Sequence, residues 1–402
     1  MDVRTTTMAA MRKALEAELP EAVGLRSRLH ADPELSGAEW RTADRVTEAI
    51  GTGEVSVVAE TGRLIRIGRA GEPCIAVRAE LDGLPVVEHT GAVDASTNGA
   101  MHACGHDVHL AAVTALARAA SRVDLPVPLL VILQPREEGP PSGARDIVAA
   151  KALDEHDVRA VVAAHVQPLL ARQTVAATEG PVNAATDELE ILITGRGGHG
   201  GYPHLTRDPV LALAEVVVAL QQVVSRRVDP LHAAVVSIGA VQAGSAANVI
   251  PEEAHARGTL RLLDVSDRAA VHEDITAIVD RIAAGYGCRG DINIREGEPA
   301  LVNDPLLTAA THPWLGEFGF ELTPSLRSCG ADDFSYYGDV TRSLMMFVGV
   351  DQHPGLAEPA TLHHPTFRPT DDAVHDVALA MLAGYLAALD ASISGEAGTV
   401  GP

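Results

Sequence analysis

The chain has 402 residues, too many for one ordinary hydrophobic core, so two domains are expected. With 47% hydrophobic, 21% charged and only 3% aromatic residues, it has the composition of a soluble globular protein with an aliphatic, Ala- and Val-rich core. A formal net charge of −23, with no cluster of Lys and Arg, argues against a nucleic-acid or anionic-membrane partner.

The N-terminal stretch MDVRTTTMAAMRKALEAELPEAV reads as an amphipathic helix with charges throughout. It lacks the apolar core of a signal peptide, and no membrane-length apolar run is expected anywhere. The four cysteines (Cys74, Cys104, Cys288, Cys329) are scattered and do not suggest a disulfide framework, so a cytoplasmic protein is expected.

After a loop marked by Pro33 and Ser36 and a second helix, strands and helices alternate as in a doubly wound α/β sheet. CIAVRAELDGLP is a short apolar strand ending in Glu80 and Asp82. AMHACGHDVHL (100–110) packs Cys104, His102, His106, His109 and Asp107 into a turn before the helix-forming run LAAVTALARAA. VPLLVILQPREEGP is a buried strand with Glu137 and Glu138 just beyond it, and VRAVVAAHVQP is another, closed by His165. In open α/β sheets ligands gather outside the carboxyl ends of the strands, where these residues fall.

From about Ala185 the pattern changes to strand, helix, strand, strand, helix, strand, the order of a ferredoxin-like α/β sandwich. It reads as an insertion, because SLMMFVGV and a helix from about Asp371 return to the larger sheet. The expected organisation is a catalytic domain of residues 1–184 and 297–402 and an inserted dimerisation or lid domain of residues 185–296. The tail after Asp390 is small and polar and is expected to fray.

Cys104, His106, one Glu of the pair, His165 and a late histidine (His353, His363 or His364) are five ligands of kinds that divalent transition metals accept. Five ligands and a spare carboxylate suit two metals and an activated water better than one closed structural site. If Glu137 and Glu138 continue their strand, their side chains point to opposite sides, one to metal and one to substrate. GRGGHGGYPH presents His199, with His204 nearby, on a flexible turn that lacks a P-loop pattern. Asn248 in SAANVIP and Arg261 in HARGTLRLL are candidate contacts for an anionic substrate. No G-x-S-x-G elbow supplies a serine nucleophile.

The motifs MHACGHDVH, LQPREEG, AAHV, GRGGHGGYPH, ANVIP, GADDF and LHHPTF stand in the order found in dinuclear metallo-amidohydrolases. Over essentially its whole length the chain resembles the branch holding hippurate hydrolases, N-acyl-amino-acid amidohydrolases and plant auxin-conjugate hydrolases. The resemblance implies two divalent metals per subunit (Zn, Mn, Co or Ni) on Cys104, His106, Glu138, His165 and His363. It implies Glu137 as general base, His199 as transition-state stabiliser, Asn248 near the substrate, and a homodimer in which the partner receives His199. The implied activity is hydrolysis of an N-acyl amino acid or similar small amide, with Arg261 on the substrate carboxylate and Asp82 orienting a ligand. A dipeptidase or carboxypeptidase using the same site is the rival enzyme; a non-catalytic ligand-binding descendant would require loss of a ligand or base that is intact. Glu80, Arg136, Asp332 and His364 depart from the family's usual RADxDALP, QPAEE, SEDF and LHSP-like patterns.

Overall fold

The computed structural model describes residues 3–323, 325–352 and 360–393. His353 and the tail beyond Ile393 lie outside them. The chain forms two compact units: residues 1–180, 302–326 and 333–402 make the first, residues 181–301 and 327–332 the second.

In the first unit, α1 (Val3–Ala31) and α2 (Trp40–Ile50) precede the strands β1 (Glu54–Val58), β2 (Gly62–Ile67) and β3 (Cys74–Glu80). Then come α3 (His106–Ala120), β4 (Leu129–Gln134), α4 (Gly143–Ala149), β5 (Val158–Gln167) and β6 (Thr174–Ala176). The second unit contains β7 (Ala185–Thr194), β8 (Gly198–His199), α5 (Pro209–Arg226), β9 (Ala234–Ala243), β10 (Val249–Ile250), β11 (Glu253–Leu262), α6 (Arg268–Gly285) and β12 (Arg289–Glu296). The first unit resumes with α7 (Pro305–Glu317), β13 (Glu321–Leu322), β14 (Arg342–Gly349) and α8 (Asp372–Ile393).

The large sheet has the order β1-β2-β4-β3-β5-β14-β6-β13. Its centre is parallel, β4, β3, β5 and β14 running together; β1 and β2 run antiparallel to their neighbours, and β6 runs antiparallel to β14 but parallel to β13. Strands buried this completely read as continuous apolar runs, as in Leu129–Gln134. One apolar core joins α1, α2, α3, α7 and α8 to the sheet. The odd residues of β3 (Ile75, Val77, Ala79) enter that core; Arg78 and Glu80 project from the opposite face and are buried too.

In the second unit, β9-β11-β7-β12 form an antiparallel sheet, the strand order of a ferredoxin-like sandwich. Its core takes Ala212, Leu213, Val216 and Leu220 of α5 and Val271, Ile275 and Val279 of α6. Residues 327–332, expected in the larger domain, pack here because their backbone is already paired. Ala184 N–H donates to Gly330 O, Ser328 N–H to Val182 O, and Arg261 to Cys329 O. Among the described residues two helices, α5 and α8, are long and apolar enough to cross a membrane, against the expectation from the sequence. The apolar stretch of α8 is 89% buried, as the core helix of the large sheet should be; that of α5 is 33% buried.

Candidate metal centre

The motif around Cys104 lies at the carboxyl end of the large sheet because its turn admits only glycine at the centre. Gly105 has φ +82°, and a Cβ there would sit 2.5 Å from Val166 Cγ2 on β5. Gly105 caps α3, so Cys104 precedes the helix and His106 opens it. His363 reaches the same place on a left-handed residue (φ +66°), its N–H donating to Ala103 O at 2.8 Å.

Around this turn, Cys104 Sγ lies 3.4 Å from His165 Nε2 and 3.3 Å from His363 Nε2. Glu138 Oε1 is 3.3 Å from His363 Nε2 and 4.0 Å from His106 Nε2, and Glu137 Oε2 is 3.7 Å from His106 Nε2. His364 points elsewhere: it is exposed and bonded to Thr366 Oγ1.

The imidazoles are set as ligands are set. His106 Nδ1 donates to Asp82 O at 2.7 Å, and His165 Nδ1 to Val166 O at 2.7 Å. A carbonyl only accepts, so each ring carries its proton on Nδ1 and turns the Nε2 lone pair inward. His106 Nε2 and Glu138 Oε1 are buried without a hydrogen-bond partner, a cost proteins rarely leave uncompensated. One thiol, three imidazoles and a carboxylate fit zinc or a similar divalent ion. Burial, helped by the neighbouring His109, pushes the pKa of His165 down to about 3, so its ring stays neutral. For His106, burial favours the neutral ring, but Glu80, Glu138 and Asp82 outweigh it and raise its pKa. Glu138 is half-buried, which favours its neutral form, yet His363 and His106 hold its carboxyl below the ordinary value.

The acid pair does not extend its strand. β4 stops at Gln134, and Arg136 takes φ +52°, turning the chain so that both carboxylates approach His106. Asp82, fully buried, fixes that turn. Its carboxylate accepts the backbone N–H of Glu137 (3.2 Å) and of Glu138 (2.9 Å), while its own carbonyl holds His106. Ser36 Oγ donates to Asp82 at 2.6 Å, and Glu39 accepts the N–H of Arg136 at 3.0 Å. Both were missed in the sequence, where Ser36 reads only as loop punctuation.

In the second unit, β8 pairs with β10, placing Val249 opposite His199. Gly200 N–H donates to the carbonyl of Asn248 at 2.8 Å, and a Cβ on Gly200 would meet that carbonyl at 3.1 Å. His199 is exposed, and its Nδ1 accepts the N–H of Gly201 at 2.9 Å, leaving Nε2–H as a donor. The side chain of Asn248 is exposed. Arg261, on β11, is half-buried and uses one donor on Cys329 O at 3.2 Å.

Residues 76–391 match the family model described as peptidase family M20/M25/M40. The chain belongs to this family. It is 35% identical over 360 residues to N-acetylcysteine deacetylase of Bacillus subtilis, covering 88% of this chain and 92% of the relative. It is 34% identical over 377 residues to N-acetyldiaminopimelate deacetylase of Halalkalibacterium halodurans, covering 92% and 100%. Among solved structures, the Bacillus subtilis YXEP protein, described as a dinuclear metal binding peptidase from the M20 family, superposes with TM-score 0.80. It shares 31% identity, covering 93% of this chain and 99% of that one.

One departure from the usual family motifs, Arg136, and the GADDF run have visible structural roles. The Arg136 guanidinium ties down the loop carrying the acid pair, bonding Pro141 O (3.0 Å) and Asp146 (2.6 Å). In GADDF, Asp333 is buried and accepts from Arg78 (3.1 Å), Gln134 (2.6 Å), Ser142 Oγ (2.7 Å) and Ala144 N–H (3.2 Å), fastening the start of α4 to the sheet. Asp332 is buried as well, the last residue of the second unit's short returning segment.

Proposed function

We propose that this chain hydrolyses the amide bond of small N-acyl amino acids, N-acetyl ones foremost, at a dinuclear metal centre on Cys104, His106, Glu138, His165 and His363. The observation that carries the reading is the pair of imidazoles locked through Nδ1 onto backbone carbonyls, Nε2 turned toward a buried thiol and carboxylate. The two deacetylase relatives support the acyl-amino-acid substrate class.

Two divalent cations bound there (zinc, manganese, cobalt or nickel) supply Lewis acidity toward the amide carbonyl and a lowered pKa for water. Glu137, whose N–H is held by Asp82, takes the proton of the attacking water and returns it to the leaving nitrogen. His199 donates Nε2–H to the carbonyl oxygen as negative charge builds there. Asn248, clamped beside His199, contacts the substrate, and Arg261 takes its carboxylate with the donors not used by Cys329.

The protein acts as a cytoplasmic homodimer joined through the second unit, with His199 serving the partner's site. Support comes from α5, whose outer face exposes Val210, Leu211 and Val218, and from Val241, exposed on the edge strand β9.

The test is a panel of N-acetyl, N-benzoyl and free dipeptide substrates, assayed after chelation and reloading with zinc, manganese or cobalt. Turnover of N-acetyl amino acids should vanish with the chelator and return with metal. Hydrolysis confined to free dipeptides would replace this reading with a peptidase.

A further inference from the structure

His109 is fully buried one turn into α3, on the same face as His106. Nothing in the proposed reaction uses it. Its Nδ1 lies 2.8 Å from Glu80 Oε2, and a carboxylate only accepts, so Nδ1 carries the proton. Nε2 is therefore a lone pair, and it accepts the backbone N–H of Val166 at 3.0 Å. Val166 is also the residue whose carbonyl holds the ring of His165 at 2.7 Å. One imidazole thus fixes the residue whose carbonyl holds a second imidazole, the two ring centroids 4.6 Å apart.

Glu80 is held in turn. Its other oxygen pairs with Arg78, which is fully buried and bonded to Gln134 at 2.9 Å and to Asp333 at 3.1 Å. The chain of contacts runs Asp333, Arg78, Glu80, His109, Val166, His165. We infer that Glu80 and His109 are positioning residues: they set the His165 imidazole toward Cys104 by anchoring the backbone of Val166. The inference rests on the metal centre proposed above and names what tunes one half of it.

Glu80 must accept twice, from Arg78 and from His109. A glutamine has one acceptor oxygen and one donor nitrogen. Turned with its nitrogen to His109, it forces the proton onto Nε2, where it opposes the Val166 N–H; turned the other way, it opposes Arg78. Glu80→Gln therefore breaks the relay although shape and size are kept. His109→Leu removes both bonds. His109→Gln keeps a donor for Glu80 and an acceptor for Val166.

The experiment titrates chelated, metal-free protein with Co(II), following the visible absorption of the ion and the heat of binding, with thermal unfolding of each metal-free variant alongside. Wild type should take up two Co(II) per subunit. His109→Leu and Glu80→Gln should weaken one of the two by about 10- to 100-fold and leave the other within about threefold. His109→Gln should restore the weakened step, which a merely space-filling histidine would not require. Both steps unchanged in folded His109→Leu or Glu80→Gln, or both falling together in proportion to lost thermal stability, overturns the inference. If wild type itself binds no Co(II), the metal reading fails and this inference with it. Loaded wild type with unaltered variants sinks the inference alone.

Discussion

His30 on α1 gives a pH dependence of stability that can be worked from the structure. Its ring is 2% exposed, with Nδ1 3.0 Å from Asp107 Oδ2 and Nε2 3.1 Å from Glu88 Oε1. Burial favours the neutral ring, but the bonds and charges of Asp107 and Glu88 outweigh it and raise the pKa to about 9. In the unfolded chain it returns to about 6.5. A raised histidine stabilises the folded state fully below pH 6.5, and the contribution disappears as pH rises to 9. A shift of that size corresponds to about 3 kcal/mol at 1.36 kcal/mol per pH unit. The assay is urea unfolding of chelated protein between pH 6 and pH 10, for wild type and His30→Gln. Wild type should lose about 3 kcal/mol across the window relative to the variant, whose curve stays flatter. Parallel curves for the two proteins would refute the reasoning.

Two further predictions concern the centre itself. His363→Ala should lower bound metal measured by elemental analysis, and His364→Ala should leave it near the wild-type value, since only His363 reaches Cys104 and Glu138. Mixing the nearly inactive Glu137→Ala and His199→Ala proteins under subunit exchange should restore activity, because a mixed dimer holds one site with Glu137 of one subunit and His199 of the other; exchange without recovery places His199 in its own subunit's site.

The parts legible in the sequence were those whose chemistry is local. The gathering of Cys104 and His106 in the turn before a helix and of Glu137, Glu138 and His165 at strand ends is readable from residue types, and the ferredoxin-like order follows from the alternation of β7 through β12. Long-range partners were not legible. Arg78 and Asp333 are 255 residues apart, and only the fold shows that a buried arginine on an apolar strand is neutralised there. The acid pair lies just beyond its strand, as the sequence places it, but strand alternation gave no sign that Arg136 leaves the β region and turns both carboxylates toward His106. β6 and β13, three and two residues long, are too short for any periodic signal.

The central claim is that Glu137 moves the proton while its neighbour Glu138 holds metal. Its most direct test measures metal per subunit together with acetate release from an N-acetyl amino acid, in wild type, Glu137→Gln and Glu138→Gln. The account predicts two metals in wild type and in Glu137→Gln, with turnover of the latter reduced about 10²- to 10⁴-fold, and depleted metal in Glu138→Gln. Near-normal turnover of Glu137→Gln, or the same loss of metal in both variants, would contradict it.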